Sequence, residues 1–344
     1  MNDLWITRRG LLGATAATAF GLTACRGSGD PGPSDRDVPT AHVALTAPRE
    51  TGQVLLASLT GPESVRPVAE AAAATGASVG FSSTVLPGLA PPLRTMPAFA
   101  GDVPDKARTA RDLVVLVEAD TRAECERRTA ALRDRLDAHL TDVWSAPVEH
   151  PLSGESRGRP LITNVFGFVE GFGNPVDGAA HTLLGRADGP RWSWGGALLA
   201  MRVVQVSREL WDRDRPEEQQ RIIGRRPDGT WLDGTARDEP APYATDPDGA
   251  TTPFDSHVRR ANPRDGKSPV IELTRRGWTY RAPGEEGVLF LAYTNDLTAF
   301  ETVQRRVTSD ALAPYTLTVG GGYYFVPPPH LGWLRRLEEA ESTA

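Results

Sequence analysis

Leu113-Val114-Val115-Leu116-Val117-Glu118-Ala119-Asp120-Thr121-Arg122-Ala123-Glu124 sets the fold class. Its first five residues form an apolar, β-branched run, too short for a buried helix and the right length for a buried strand. Four residues on, Thr121 and Glu124 stand at capping-box spacing, where hydroxyl and carboxylate can satisfy free N–H groups of a first helical turn. Leu132, Leu136 and Leu140 then recur at spacing four, with arginines and aspartates between them, predicting an amphipathic helix over 121–140. Cys125 lies on that helix and reads as an inert, packed thiol. Upstream, Val54-Leu55-Leu56-Ala57 reads as a strand within 53–59, and 62–75 as an Ala-rich helix with Pro62 near its start. Residues 78–85 are β-like, and 143–148 supply a closing strand. The order β-α-β-β-α-β is the ferredoxin-like signature.

The C-terminal half repeats that order loosely. A strand over 198–206 leads into a helix over 207–223, then a Gly/Pro/Asp-rich excursion runs from 224 to 262. Val288-Leu289-Phe290-Leu291-Ala292-Tyr293 is a strand, 298–307 a helix, and Gly322-Tyr323-Tyr324-Phe325-Val326 closes the set before Pro327. The expected class is therefore α+β. Two ferredoxin-like domains, 40–155 and 156–335, would pack their antiparallel sheets together, with the boundary between Pro151 and Pro160.

Composition narrows the function. The 344 residues carry a formal net charge of -6, which argues against nucleic acid, because phosphate binding needs a basic face. Two cysteines exclude a disulfide framework and a Cys-rich metal site. The arginines cluster locally instead, as they would to serve one anionic group. Residues 1–25 read as an export signal: Thr7-Arg8-Arg9-Gly10-Leu11-Leu12 opens a short run of small and apolar residues, and paired arginines point to the twin-arginine route. Leu22-Thr23-Ala24-Cys25 resembles a bacterial lipobox, which would lipidate Cys25 and tether the chain to a membrane. Residues 26–39, rich in Gly, Pro, Ser and Asp, read as a flexible linker.

Six histidines give a short list of bases and ligands. His257 stands in Ser256-His257-Val258-Arg259-Arg260-Ala261-Asn262-Pro263-Arg264, one imidazole among arginines. An isolated histidine is more often a packing residue, so its weight comes from its companions. Glu170 lies in Asn164-Val165-Phe166-Gly167-Phe168-Val169-Glu170-Gly171-Phe172-Gly173-Asn174-Pro175, where glycines let backbone approach a flat ligand. Burial there would raise its pKa and suit it to shuttle a proton. A Gly-rich acidic stretch alone reads equally as a surface turn. Arg275, in Arg275-Arg276-Gly277, offers a fixed cation. Without a His/Asp/Glu cluster, zinc or non-haem iron is poorly supported. One histidine with open space opposite is how peroxidases hold haem iron, and arginines suit its two propionates.

These stretches, with Trp211-Asp212-Arg213-Asp214-Arg215, Glu218 to Arg225, 289–306 and Gly320 to Pro328, resemble the dye-decolourising peroxidases, in the branch that includes the deferrochelatases. The resemblance covers most of 50–329. It implies two ferredoxin-like domains, with one haem b per chain in the C-terminal one. It implies His257 as the axial ligand of the haem iron, and Asn262, Pro263 and Arg264 as haem contacts. Glu170 falls on the distal acid and Arg275 on the distal arginine, with Gly171, Phe172 and Gly173 along the haem. Asp296 falls in a stretch that would give a carboxylate to the histidine's other nitrogen, a bond that makes imidazole more basic. One position departs: the distal acid of the family is usually aspartate. The extra methylene of Glu170 matters because catalytic geometry is demanding at about 1 Å.

The activity implied is reduction of hydrogen peroxide with one-electron oxidation of small organic donors, dye-like or phenolic. Glu170 would move the peroxide proton, and Arg275 would stabilise charge as the O–O bond breaks. Surface tyrosines or tryptophans would relay electrons from large donors; Trp278, Tyr280, Trp333 and Tyr324 are candidates by residue type. Two other readings stay open here: a haem-handling deferrochelatase that releases iron, and an exported lipoprotein that binds an anionic ligand without haem. A homo-oligomer is left open. The expected location is extracellular or in the cell envelope.

Overall fold

A computed structural model describes residues 42–342 except Pro91, Arg157, Val176 and Asp177. The export signal, Cys25 and the linker 26–39 lie outside the described residues. The first half runs β1 (Thr51–Leu59), α1 (Val65–Thr75), β2 (Ser78–Phe81), β3 (Leu113–Ala119), α2 (Arg122–Leu136) and β4 (Leu140–Glu149). A small sheet follows, β5 (Leu152–Ser156), β6 (Arg159–Thr163) and β7 (Val169–Glu170), then α3 (Ala179–Thr182). The second half runs β8 (Ala197–Val206), α4 (Arg208–Trp211), α5 (Pro216–Ile223), α6 (His257–Ala261), β9 (Thr274–Ala282), β10 (Glu285–Thr294), α7 (Leu297–Val307) and β11 (Thr316–Val326), and α8 (Gly332–Glu341) ends the described chain.

The duplication shows in the strand order. The first sheet is ordered β4-β1-β3-β2, and the second β11-β8-β10-β9. Each places its first strand between its fourth and its third, the order a β-α-β-β-α-β chain gives when both crossovers cover one face. The two sheets also meet edge to edge, at Phe81 with Phe325 and at Val148 and Glu149 with Tyr280 and Thr279, so the eight strands close on themselves. Closure leaves no free sheet edge. The hairpin β5–β6 occupies the stretch expected to hold the domain boundary, and all described residues fall in one compact unit.

Strand period explains the two layers of core. On β1, Val54 and Leu56 face the interior between the sheets, with Leu116, Met201, Trp278, Leu291 and Tyr324. Leu55 and Ala57 face outward and are covered, with Val115 and Val117, by residues of α1, α2, α7 and α8. Both faces are buried, so the sequence there is continuous apolar rather than alternating. Thr121 caps α2, its hydroxyl accepting from Glu124 N, and Cys125 is a buried free thiol.

Two expectations are corrected. The helix expected over 207–223 is broken: Arg215 is extended because Pro216 follows, and α5 restarts with that proline in its first turn. Trp278, Tyr280, Tyr324 and Trp333 are at most 1% exposed, so none can be a surface relay. The first three point between the sheets, and Trp333 packs on Phe81 and Phe325.

Two buried histidines tie the halves together and make the fold acid-sensitive. His150 stacks on Trp278 at 3.5 Å, and its Nε2 lies 2.9 Å from Gly277 O. His42 accepts from Ala44 N and lies 3.3 Å from Val326 O. Burial, with Arg276 nearby, pushes His150 down to about 3 and His42 to about 4. Both are then neutral when folded but gain a proton when unfolded below about pH 6.5. The unfolded state binds more protons there, so stability falls as pH falls from 6.5 towards 4, at most by about 1.4 kcal/mol per unit per group. Urea midpoints should drop between pH 7 and pH 5, and less so in His150→Gln; a wild-type midpoint that does not fall would refute this.

Candidate active site

The site gathers on the long β8-to-β9 crossover, on the loop 164–175 before it, and on β9 itself. His257 opens α6, which is fastened to α7 by Arg260 Nε donating to Arg306 O at 2.9 Å and Arg306 Nη1 to Ala261 O at 3.1 Å. Its Nδ1 lies 2.6 Å from Asp310 Oδ2. A carboxylate can only accept here, so Nδ1 carries the hydrogen, and in the neutral ring Nε2 keeps its lone pair. Asp310 is itself held: Oδ1 accepts from Leu312 N and Ala313 N, both at 3.0 Å. The Asp310 side chain is 2% exposed and that of His257 39%, so the carboxylate is sealed while the ring stays accessible.

This corrects the expectation for Asp296. Asp296 caps α7, its Oδ1 accepting from Thr298 N at 2.8 Å. Asp310 lies past the other end of α7, an 11-residue helix and therefore about 16 Å long. The helix geometry puts the two aspartates at opposite ends, and only the C-terminal one reaches His257.

On the other side, Asn164 fixes Glu170. Its Oδ1 accepts from Phe166 N and Phe168 N, both at 3.0 Å, which turns Nδ2 to donate to Glu170 Oε1 at 2.5 Å. Burial raises the Glu170 pKa, opposed by that hydrogen bond and by the charges of Arg275 and His257. A Cβ built on Gly277 would stand 3.1 Å from Glu170 Oε2, so the carboxylate rests on a bare stretch of β9. Arg275, two residues back on the same face, is held by Asn174: its N–H donates to Asn174 Oδ1 at 3.0 Å, and Asn174 Nδ2 donates to Arg275 O at 2.8 Å. Arg275 Nη2 donates to Gly173 O at 3.1 Å, and a Cβ on Gly173 would meet that nitrogen at 2.8 Å. The Arg275 side chain reaches solvent, yet its surroundings lower its pKa, an effect that Glu170 only partly offsets. One apolar cluster joins the two sides: Val165, Phe166 and Phe168 of the loop carrying Glu170 pack with Trp211, Ile222, Ile223 and Leu312, the last beside Asp310.

The structure thus brings Glu170, Arg275 and His257 within electrostatic reach of one another. Gly171 takes φ +106, which favours glycine, and Phe172 turns its ring to the Arg225 guanidinium, 4.4 Å away. Asn262 donates to Ile271 O at 3.3 Å, while its buried Oδ1 has no partner among the described residues. Pro263 holds Asn262 out of the helix, and Arg264 follows, exposed, at φ +51.

No group of three or more His, Cys, Asp or Glu able to hold an ion occurs among the described residues. One imidazole nitrogen on an open face fits iron whose other ligands come with a ring, and not a free ion. Asp310, Asn164 and Asn174 escaped the sequence reading. Asn164 and Asn174 do stand at the ends of the glycine-rich stretch, and asparagine beside such loops is a signal of backbone-locking side chains.

Residues 162–330 match the family model described as "Dyp-type peroxidase, C-terminal". The chain is 33% identical over 265 residues to the deferrochelatase of Escherichia coli K12, which covers 70% of this chain and 62% of that protein. The deferrochelatase of Shigella flexneri matches equally. The chain spans about three fifths of the length of these curated relatives. Among solved structures, a DyP-type peroxidase from Cellulomonas bogoriensis is similar at TM-score 0.73 and 23% identity, covering 87% of this chain and 95% of that one. Ferric DtpA from Streptomyces lividans is similar at TM-score 0.73 and 22% identity, covering 85% and 94%.

The Asn164 contact predicts a direction. Its N–H favours the charged carboxylate, so Asn164→Ala should raise the Glu170 pKa further. Carbon-13 NMR of labelled glutamate carboxyls across pH would show it. A Glu170 titration unmoved or lowered by the substitution would sink the clamp.

Proposed function

The chain belongs to the DyP-type peroxidase family, and on that premise we propose that it is a haem-dependent peroxidase, reducing hydrogen peroxide and oxidising dye-like or phenolic donors by one-electron steps. The observation that carries this reading is the His257–Asp310 bond, which in the neutral ring leaves Nε2 as a lone-pair donor, with the ring within electrostatic reach of Glu170 as Arg275 is. Haem, when bound, would supply an iron centre able to take up the oxidising equivalents of peroxide.

His257 Nε2 would hold that iron, with Asp310 fixing the tautomer and making the ring a stronger donor. Glu170 Oε2 takes the proton from one peroxide oxygen and returns it to the other, which leaves as water. Its raised pKa makes it a stronger base for taking that proton than an exposed carboxylate. Arg275, fixed by Asn174 and Gly173, stabilises negative charge on the departing oxygen. In Glu170→Gln the rate of reaction with peroxide, followed by stopped-flow absorbance, should fall roughly a hundredfold or more, while Glu170→Asp keeps much of it. An unchanged rate in Glu170→Gln would remove the proton shuttle from the proposal.

The similarity to proteins named deferrochelatase favours a second reading, release of iron from haem. Protoporphyrin appearing on incubation with haem and no peroxide would support it, and intact haem would reject it. We propose also that the chain is exported by the twin-arginine route and held at the membrane through Cys25, supported by Arg8-Arg9, the apolar run and the lipobox resemblance. Replacing Arg8 and Arg9 together by lysine should leave the protein in the cytoplasmic fraction; unchanged export would overturn this.

A further inference from the structure

Arg225 is a partly buried cation with no carboxylate in ion-pair distance among the described residues. Its guanidinium carbon lies 3.5 Å from the ring centre of Trp231 and 4.4 Å from that of Phe172. Among the described residues it makes two hydrogen bonds, both from Nη1 to backbone: Gly229 O at 2.6 Å and Arg237 O at 3.3 Å. Nε and Nη2 have no protein partner there. Asp238 is an acid whose charge reaches Arg225, yet its carboxylate accepts from the Ser156 hydroxyl.

A guanidinium in such a place is expensive to desolvate and is kept where an anion completes it. The surroundings fix it in orientation. Gly224 before it is left-handed at φ +90, Arg225 and Trp231 form an antiparallel bridge, and Gly229 lets Phe172 close in, since a Cβ there would meet the ring at 2.7 Å. Phe172 belongs to the glycine-rich stretch that carries Glu170, which places Arg225 at the rim of the site. Burial lowers its pKa to about 10, and the charges of Arg275 and Arg264 add to that. Three cations therefore share one region, and Arg225, stacked between two rings, has donors to spare. A planar fork offering two N–H groups matches a carboxylate.

Resting on the haem reading, we propose that Arg225, stacked on Phe172 and Trp231, is the cation that receives a carboxylate of the bound tetrapyrrole. A carboxylate on an organic donor is the other source of the same chemistry, and the test separates them. The full-length holoprotein is prepared with haemin or with haemin dimethyl ester, whose two carboxylates are capped, and loss of each to excess apomyoglobin is timed. Wild type should release the ester about tenfold or more faster than haemin, as the loss of a charge-assisted hydrogen bond requires. In Arg225→Met, which keeps bulk against both rings, haemin should leave about tenfold faster and the ester at the wild-type rate; Arg225→Lys should recover part of the haemin retention. Haemin and ester hastened equally by Arg225→Met would show a packing role and overturn the assignment. So would a gap between haemin and ester that survives in both variants, which returns the carboxylate to a donor substrate or to another arginine. Wild-type protein that takes up neither compound overturns the haem reading, and this assignment with it.

Discussion

An imidazole N–H given to a sealed carboxylate is the contact on which the site depends. A buried aspartate is costly unless its charge is met by donors, and Asp310 has three: His257 Nδ1 and the N–H groups of Leu312 and Ala313. The two backbone donors exist because the chain turns tightly after α7. That turn also delivers Leu312 into the cluster with Phe166, Phe168 and Trp211. The same few residues therefore fix the tautomer of His257 and support the loop carrying Glu170. The sides that carry His257 and Glu170 are one packed unit, and their spacing is set by apolar contacts.

Glu170 and Arg275 make opposite demands on the same environment. Loss of water around the carboxyl drives the acid towards its neutral form, and the protein around the guanidinium lowers its pKa too, while each charge partly counters the effect on the other. Such a pair works only if it is held at a fixed separation. Two asparagines provide this by the same device. Asn164 spends its oxygen on two backbone N–H groups and its nitrogen on Glu170, and Asn174 makes a two-way amide contact with the Arg275 backbone. Loop residues gain in this way the precision otherwise given by helices and strands.

The duplicated order of elements was legible because it rests on local signals: apolar runs, the Thr121–Glu124 cap, and turn residues between them. His257, Glu170 and Arg275 were legible as residue types in distinctive stretches. The partner of His257 was not, because the contact with Asp310 spans 53 residues and no spacing encodes it. Strand β9 was hidden for a physical reason. Arg276 stands on its inward face, where a strand pattern asks for an apolar residue, and is tolerated by pairing with Glu118 at 3.0 Å and donating to Thr46 O at 2.7 Å. Closure of the sheet was equally out of reach, since it rests on a few cross-half pairs at each seam.

Those seams bear on Glu170. With Arg276 anchored to β3 and the 42–46 segment, and His150 bound to Gly277 O, the backbone of β9 under Glu170 is fixed from its far side. The longer carboxylate then has a floor at Gly277, where an added Cβ would stand a tight 3.1 Å from Oε2, and a side wall at Asn164. An extra methylene ordinarily adds a rotatable bond and loosens a proton carrier. Here Oε1 is tied to Asn164 and Oε2 has room beside the bare backbone of Gly277, so the additional reach becomes a defined position.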